Sequence, residues 1–291
     1  MIAHVLQGLL AAVAAMLVWG WAQAFKGAMR FATGPIPLIT GAVANFLDTL
    51  GIGSFAPTTA VIKIFRLTDD DTRIPGTLNV GHAIPTITQA IIFISIVRVD
   101  VALLVSCIVA SIAGALLGVR IVTRLPVRAI RLAMGLAMLV AAGLYAAKNL
   151  GWIPGGNEGA LGLEGGLFAL ATALHFVYGV LMMVGVGLYA PSLITLSLLG
   201  MNPTAGFPIM MGACAFLMPS ASLAFLRSGK LEPRIALGLA LGGIPGVLVA
   251  AFVVKSLSLD ILRWGVVVVV IIAAATMLAG AFGSPRKSDL K

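Results

Sequence analysis

Residues 45–61 read NFLDTLGIGSFAPTTAV, and they gather residue types that an ion-handling site needs inside a run that is otherwise apolar. Asp48 is the only acidic residue deep within an apolar segment. Gly51 and Gly53 supply the permissive backbone of a helix break, and Pro57 suits the first turn of a new helix, where its missing N–H is not needed. A second stretch, GVGLYAPS at 185–192, repeats the pattern with Gly185, Gly187 and Pro191. A helix that restarts at membrane depth presents free backbone N–H groups and a positive dipole end, which together hold an anion without a buried Lys or Arg. The hydroxyl, amide and ring donors nearest those starts are Ser54, Thr58, Asn79, His82, Tyr189 and Ser192, the candidate substrate-binding residues.

Two polar stripes accompany the breaks. Asn79, His82, Thr86 and Gln89 follow one another at +3, +4 and +3 and share one face of a helix. Such a stripe lines a pathway or bonds helices together, and the bulk of His82 and Gln89 points to lining. Thr172, His175, Tyr178 and Met182 form the second stripe, for which hydrogen-bonded packing is an equally open reading. Asp48 and His175 are the proton-coupling candidates, since intramembrane carboxylates and imidazoles serve as proton relays. For Asp48 the alternative is a structural tie through Asn45 or Thr49, one turn away on the same face.

Membrane helices must position these residues. The chain of 291 residues is 60% hydrophobic and 10% charged, with a mean hydropathy of +1.10. Soluble domains carry about 25% charged residues, so only a polytopic membrane protein fits. Apolar segments fall at about 2–25, 36–50, 54–66, 75–97, 101–120, 127–147, 166–184, 187–200, 205–226, 233–254 and 259–282. No segment alternates as a strand does, so the expected fold is all-α. The net charge of +9 lies between the apolar runs without interleaved aromatics, which excludes nucleic acid as the partner. Cys107 and Cys214 stand alone in apolar runs and read as small core residues. The segment 2–25 has no basic leader and reads as a retained helix.

The segments repeat. GIGSFAPT at 51–58 aligns with GVGLYAPS at 185–192, and Pro85 with Pro219, both at an offset of 134. The predicted organisation is an extra N-terminal helix at 1–34, a first repeat at 35–150, an extracytoplasmic linker at 151–166, a second repeat at 167–283 and a cytoplasmic tail at 284–291. With the N-terminus outside, 15 of the 19 Lys and Arg residues fall on the cytoplasmic side, leaving Arg98, Lys148, Lys255 and Arg263 outside. The loop RLTDDDTR after the first break and its uncharged counterpart GMNPTAGF differ in charge character, as expected of inverted-topology repeats whose discontinuous helices meet at the midplane. Small residues repeat every four positions at Ser106, Ala110, Gly114 and Gly118, and again at Gly238, Gly242, Gly246 and Ala250, and read as helix-packing seams.

Two halves that each open on a Gly-rich turn, an apolar-Pro step and a short helix resemble the sulfite exporter TauE/SafE family of membrane permeases. NFLDTLGIG with Asp48, then Pro57, then GTLNVGH with Asn79 carry the likeness, which extends over about residues 36–283. The chain departs from the family in its sparser first turn, Gly-Ile-Gly-Ser, and in Gly212–Ala213 where the first half has Asn79. The resemblance implies a secondary transporter of sulfite, organosulfonates such as sulfoacetate, or related oxyanions in a bacterial cytoplasmic membrane. A passive anion channel and an intramembrane enzyme are the alternatives. No Walker, HExxH or Cys/His metal motif is present, so no cofactor, metal or enzymatic activity is expected. The expected partners are the bilayer and a small sulfur-containing anion, with self-association left open.

Overall fold

Proline and glycine punctuate the chain, and several of its helices start or stop where they stand. The computed structural model describes residues 2–24, 33–121, 127–152, 159–182 and 187–282. Gly185, the tail at 284–291 and positions 153–158 of the linker lie outside the described residues.

Eleven α-helices follow one another among the described residues: α1 Ile2–Ala24, α2 Pro35–Thr49, α3 Phe55–Ile64, α4 Ile74–Ile96, α5 Val101–Ile121, α6 Val127–Asn149, α7 Gly165–Met182, α8 Tyr189–Leu198, α9 Pro203–Ser228, α10 Pro233–Ser256 and α11 Leu259–Phe282. Proline opens α2, α9 and α10, where no intrahelical N–H is required of it. Asn202 caps α9 by accepting from the Thr204 N–H at 2.9 Å. Eight of the helices are long and apolar enough to cross a membrane. Their outward faces expose large apolar side chains such as Trp19, Val109, Val140 and Phe252, surface suited to lipid. The chain is an all-helical polytopic membrane protein.

The centre of the bundle is α4 against α9, both carrying interior prolines, Pro85 in one and Pro208 and Pro219 in the other. Around them α2 packs on α10, α5 on α7 and α6 on α11, while α10 also meets α4 and α5 meets α9. The extra helix α1 lies across α9 and α4. Glycine seams make the closest of these approaches. A methyl group built on Gly242 would overlap the Leu38 carbonyl, one on Gly246 the Ala42 carbonyl, and one on Gly114 the Phe176 carbonyl. The small-residue spacing therefore sets the α2–α10 and α5–α7 distances.

The short helices differ in surroundings. Helix α8 is buried along nearly its whole length against α6, α9 and α11. Helix α3 packs on α2 and α4 and leaves Ile64 exposed at its end. Beyond α3, the loop is tied to the α9–α10 turn. Thr68 and Arg73 both reach the Glu232 carboxylate, at 3.1 and 3.2 Å, and the Glu232 N–H donates to the Thr77 hydroxyl at 2.8 Å.

Candidate substrate site

The first break begins where α2 runs out. Gly51 and Gly53 take φ of +97° and +93°, left-handed backbone that a side chain would strain. The Gly51 N–H bonds the Asp48 carbonyl at 2.8 Å and the Ile52 N–H bonds that of Leu47 at 3.1 Å, closing α2. The chain then restarts at Phe55. In the second half α7 ends at Met182 and α8 starts at Tyr189. The N-cap residues Ser54 and Leu188 place no side-chain bond on the first turns of α3 and α8.

Both starts open on one cavity of about 50 Å³. Gly53, Ser54 and Phe55 line it from the first break, and Gly187, Leu188 and Tyr189 from the second. Each of these residues has its counterpart in the other trio at the repeat offset of 134. Asp48 and Thr86 complete the polar wall, and Met182, Cys214 and Met218 form a sulfur-rich one. A larger surface cleft, beside Asp100 and Glu164, lies away from both breaks and shares none of these residues.

A buried network ties Asp48 in place. Gln89 Nε2 donates to Asp48 Oδ2 and to Thr49 Oγ1, both at 3.0 Å, and the Tyr189 hydroxyl donates to Gln89 Oε1 at 2.6 Å. Ser54 stands beside Asp48 on the cavity wall. The chain Asp48–Gln89–Tyr189 thus joins the first break to the first residue of α8. Asn45 turns instead to His82.

Each short helix is also pinned by a histidine. His175 Nδ1 lies 2.8 Å from the Ala171 carbonyl, so that nitrogen carries the proton. Nε2 is therefore an acceptor and takes the Ser192 hydroxyl proton at 2.8 Å. On α4 the Asn45 amide donates to the Gly41 carbonyl at 2.8 Å and meets His82 Nδ1 through its nitrogen at 2.9 Å and its oxygen at 3.2 Å, while His82 Nε2 lies 3.0 Å from Thr58 Oγ1. In both halves an imidazole Nε2 is bonded to a hydroxyl of the short helix.

The sequence candidates separate accordingly. Asp48, Gly53, Ser54, Gly187 and Tyr189 meet at the cavity. Thr58, His82, His175 and Ser192 sit behind it, buried and bonded to one another in the two clamps. Pro57 and Pro191 lie in the first turns of α3 and α8. Gly51 packs beside Leu193 and Val269. Asn79 is partly exposed on α4, donates to the Pro75 carbonyl at 2.9 Å and does not reach the cavity. Sequence reasoning gave no site role to Cys214, Met218 or Leu188, and only the repeat offset from Ser54 signals Leu188. Among the described residues no group of three or more His, Cys, Asp or Glu side chains is placed to hold a metal ion. Comparison with protein-family models, curated proteins and solved structures returns no match.

Proposed function

We propose that the protein is a secondary transporter of compact sulfur-containing anions, working by alternating access around α3 and α8 in a bacterial cytoplasmic membrane. The observation that carries this reading is the convergence of two uncapped helix starts, equivalent by sequence repeat, on one small cavity. Backbone N–H groups and dipole ends there supply the anion's partners where no described lining residue is basic. A cavity of about 50 Å³ has room for about four water-sized groups, the scale of sulfite or a short sulfonate.

The packing supports an inverted-repeat reading. Exchanging α2–α6 for α7–α11 turns the α2–α10 pair into α7–α5 and α4–α10 into α9–α5, and returns α4–α9 and α6–α11 to themselves. The short helices break the pattern, since α8 meets α6 and α11 whereas α3 has no such extensive packing on either. One tightly held and one loosely held half-helix is the asymmetry expected when a transporter rests open to one side. The TauE/SafE resemblance supplies the sulfur chemistry.

Counterflow tests the reading. Proteoliposomes preloaded with unlabelled sulfite or sulfoacetate should transiently accumulate the same labelled anion above its external concentration. Uptake without such trans-stimulation would identify a channel. Uptake of neither anion, above protein-free liposomes, would remove the sulfur-anion reading.

A further inference from the structure

An anion cavity whose one formally charged lining side chain among the described residues is a carboxylate carries an unbalanced charge. Asp48 is 5% exposed, and among the described residues no Lys, Arg or His lines the cavity. Its hydrogen-bond partner, Gln89 Nε2, is a neutral donor. A carboxylate has about four acceptor positions, so others are left for a donor in the cavity. The neighbours are not available to change roles. The second N–H of Gln89 goes to Thr49 and its carbonyl takes the Tyr189 hydroxyl. Tyr189 and Cys214, the other titratable side chains at the cavity, bring no positive charge in any protonation state. A bare anion entering this space meets like charge, and Asp48 itself is a buried charge without a counter-ion, which is strongly disfavoured.

We propose that the substrate itself brings the missing cation, and that it is a compact zwitterion with a primary ammonium and a sulfonate. The inference rests on the transport reading, which supplies the anionic pole at the starts of α3 and α8. The ammonium faces Asp48 and fills an acceptor position that Gln89 leaves free. The sulfonate faces the backbone of residues 53–55 and 187–189, and Phe55, Met182 and Met218 cover the short carbon linker.

Taurine and isethionate share one carbon skeleton and sulfonate and differ in ammonium against hydroxyl. Binding is read as the shift in thermal midpoint of the purified full chain in nanodiscs, because a ligand of the native state raises it by mass action. The wild-type protein should bind taurine at least about tenfold more tightly than isethionate at pH 7, a difference of about 1.4 kcal/mol. Asp48→Asn should abolish that preference, and the wild-type comparison decides even if the variant does not fold. Isethionate or sulfite binding as tightly as taurine, at pH 7 or at pH 5.5, would show that the substrate's ammonium is not what neutralises Asp48. That result overturns the inference and leaves the anion-transport reading standing. No shift with taurine, isethionate, sulfite or sulfoacetate overturns both.

Discussion

His175 and Ser192 lie 17 residues apart, a spacing that no helical period links, yet the break between α7 and α8 makes them partners. Tyr178 and Thr195, at the same separation, bond one turn further along at 2.6 Å. The stripe Thr172–His175–Tyr178 was legible as a face because its members share one helix. Its partners were not legible, because they depend on how the chain returns after the break. The hydroxyls illustrate the cost of that gap. By type and position Ser192 is a donor for an anion; in the structure its proton goes to His175. Ser192→Ala leaves a buried imidazole nitrogen without its donor, a loss of about 1–3 kcal/mol. The expected outcome is a lower thermal midpoint with ligand affinity changed less than about twofold, since the hydroxyl's removal costs α8 a clamp and the ligand no bond. A tenfold loss of affinity at unchanged stability would return Ser192 to the substrate's immediate contacts.

At the scale of elements, the breaks were legible because their glycines answer a backbone demand. Positive φ at Gly51 and Gly53 admits few other residues, so the residue type itself announces the turn. The boundaries of α9 were less so. The segment expected at 205–226 runs as Pro203–Ser228, because Asn202 and Pro203 cap its start and Gly229, at φ +66°, ends it. The glycine seams were legible as spacing, but which helix each one meets was not. That partner now separates two substitutions of the same kind. Gly242→Ala would drive a methyl group into the Leu38 backbone, with no side chain able to yield, and should cost about 1–3 kcal/mol as an overpacked contact. Gly143→Ala meets nothing within 4 Å on an exposed face of α6 and should stabilise the helix by up to about 1 kcal/mol. Thermal midpoints of the two variants should move in opposite directions. Equal shifts would mean that the α2–α10 seam is looser than its geometry.

Over the whole molecule, the contacts sort the loops into two ends, and that sorting can be set against the charge count. Arg73 and Glu232 join the α3–α4 loop to the α9–α10 turn at one end. The Asp100 N–H bonds the Leu161 carbonyl at 2.8 Å and the Asn202 N–H that of Ala160 at 2.9 Å, which gathers the α4–α5, α6–α7 and α8–α9 connections. Lys148 reaches the Ser197 carbonyl at 3.4 Å and Asn149 that of Arg263 at 3.3 Å, so two of the four basic residues assigned to the outside join that second group. Helix α4 spans the distance between the groups, from its start beside Arg73 to its end before Arg98. Its 23 residues cover about 35 Å at 1.5 Å each, enough to cross the hydrocarbon core. Basic residues gather at the cytoplasmic face, so the end holding Lys63, Arg66, Arg73, Arg227, Lys230 and Arg234 should face the cytoplasm. A chain with Cys107 and Cys214 replaced by alanine and one new cysteine, Asp69→Cys or Gly159→Cys, makes this measurable with a membrane-impermeant maleimide. In intact spheroplasts the cysteine at 159 should label and the one at 69 should not, and inside-out vesicles should reverse the pattern. Labelling of both from one side would refute the predicted orientation and, with it, the inverted relation of the two halves.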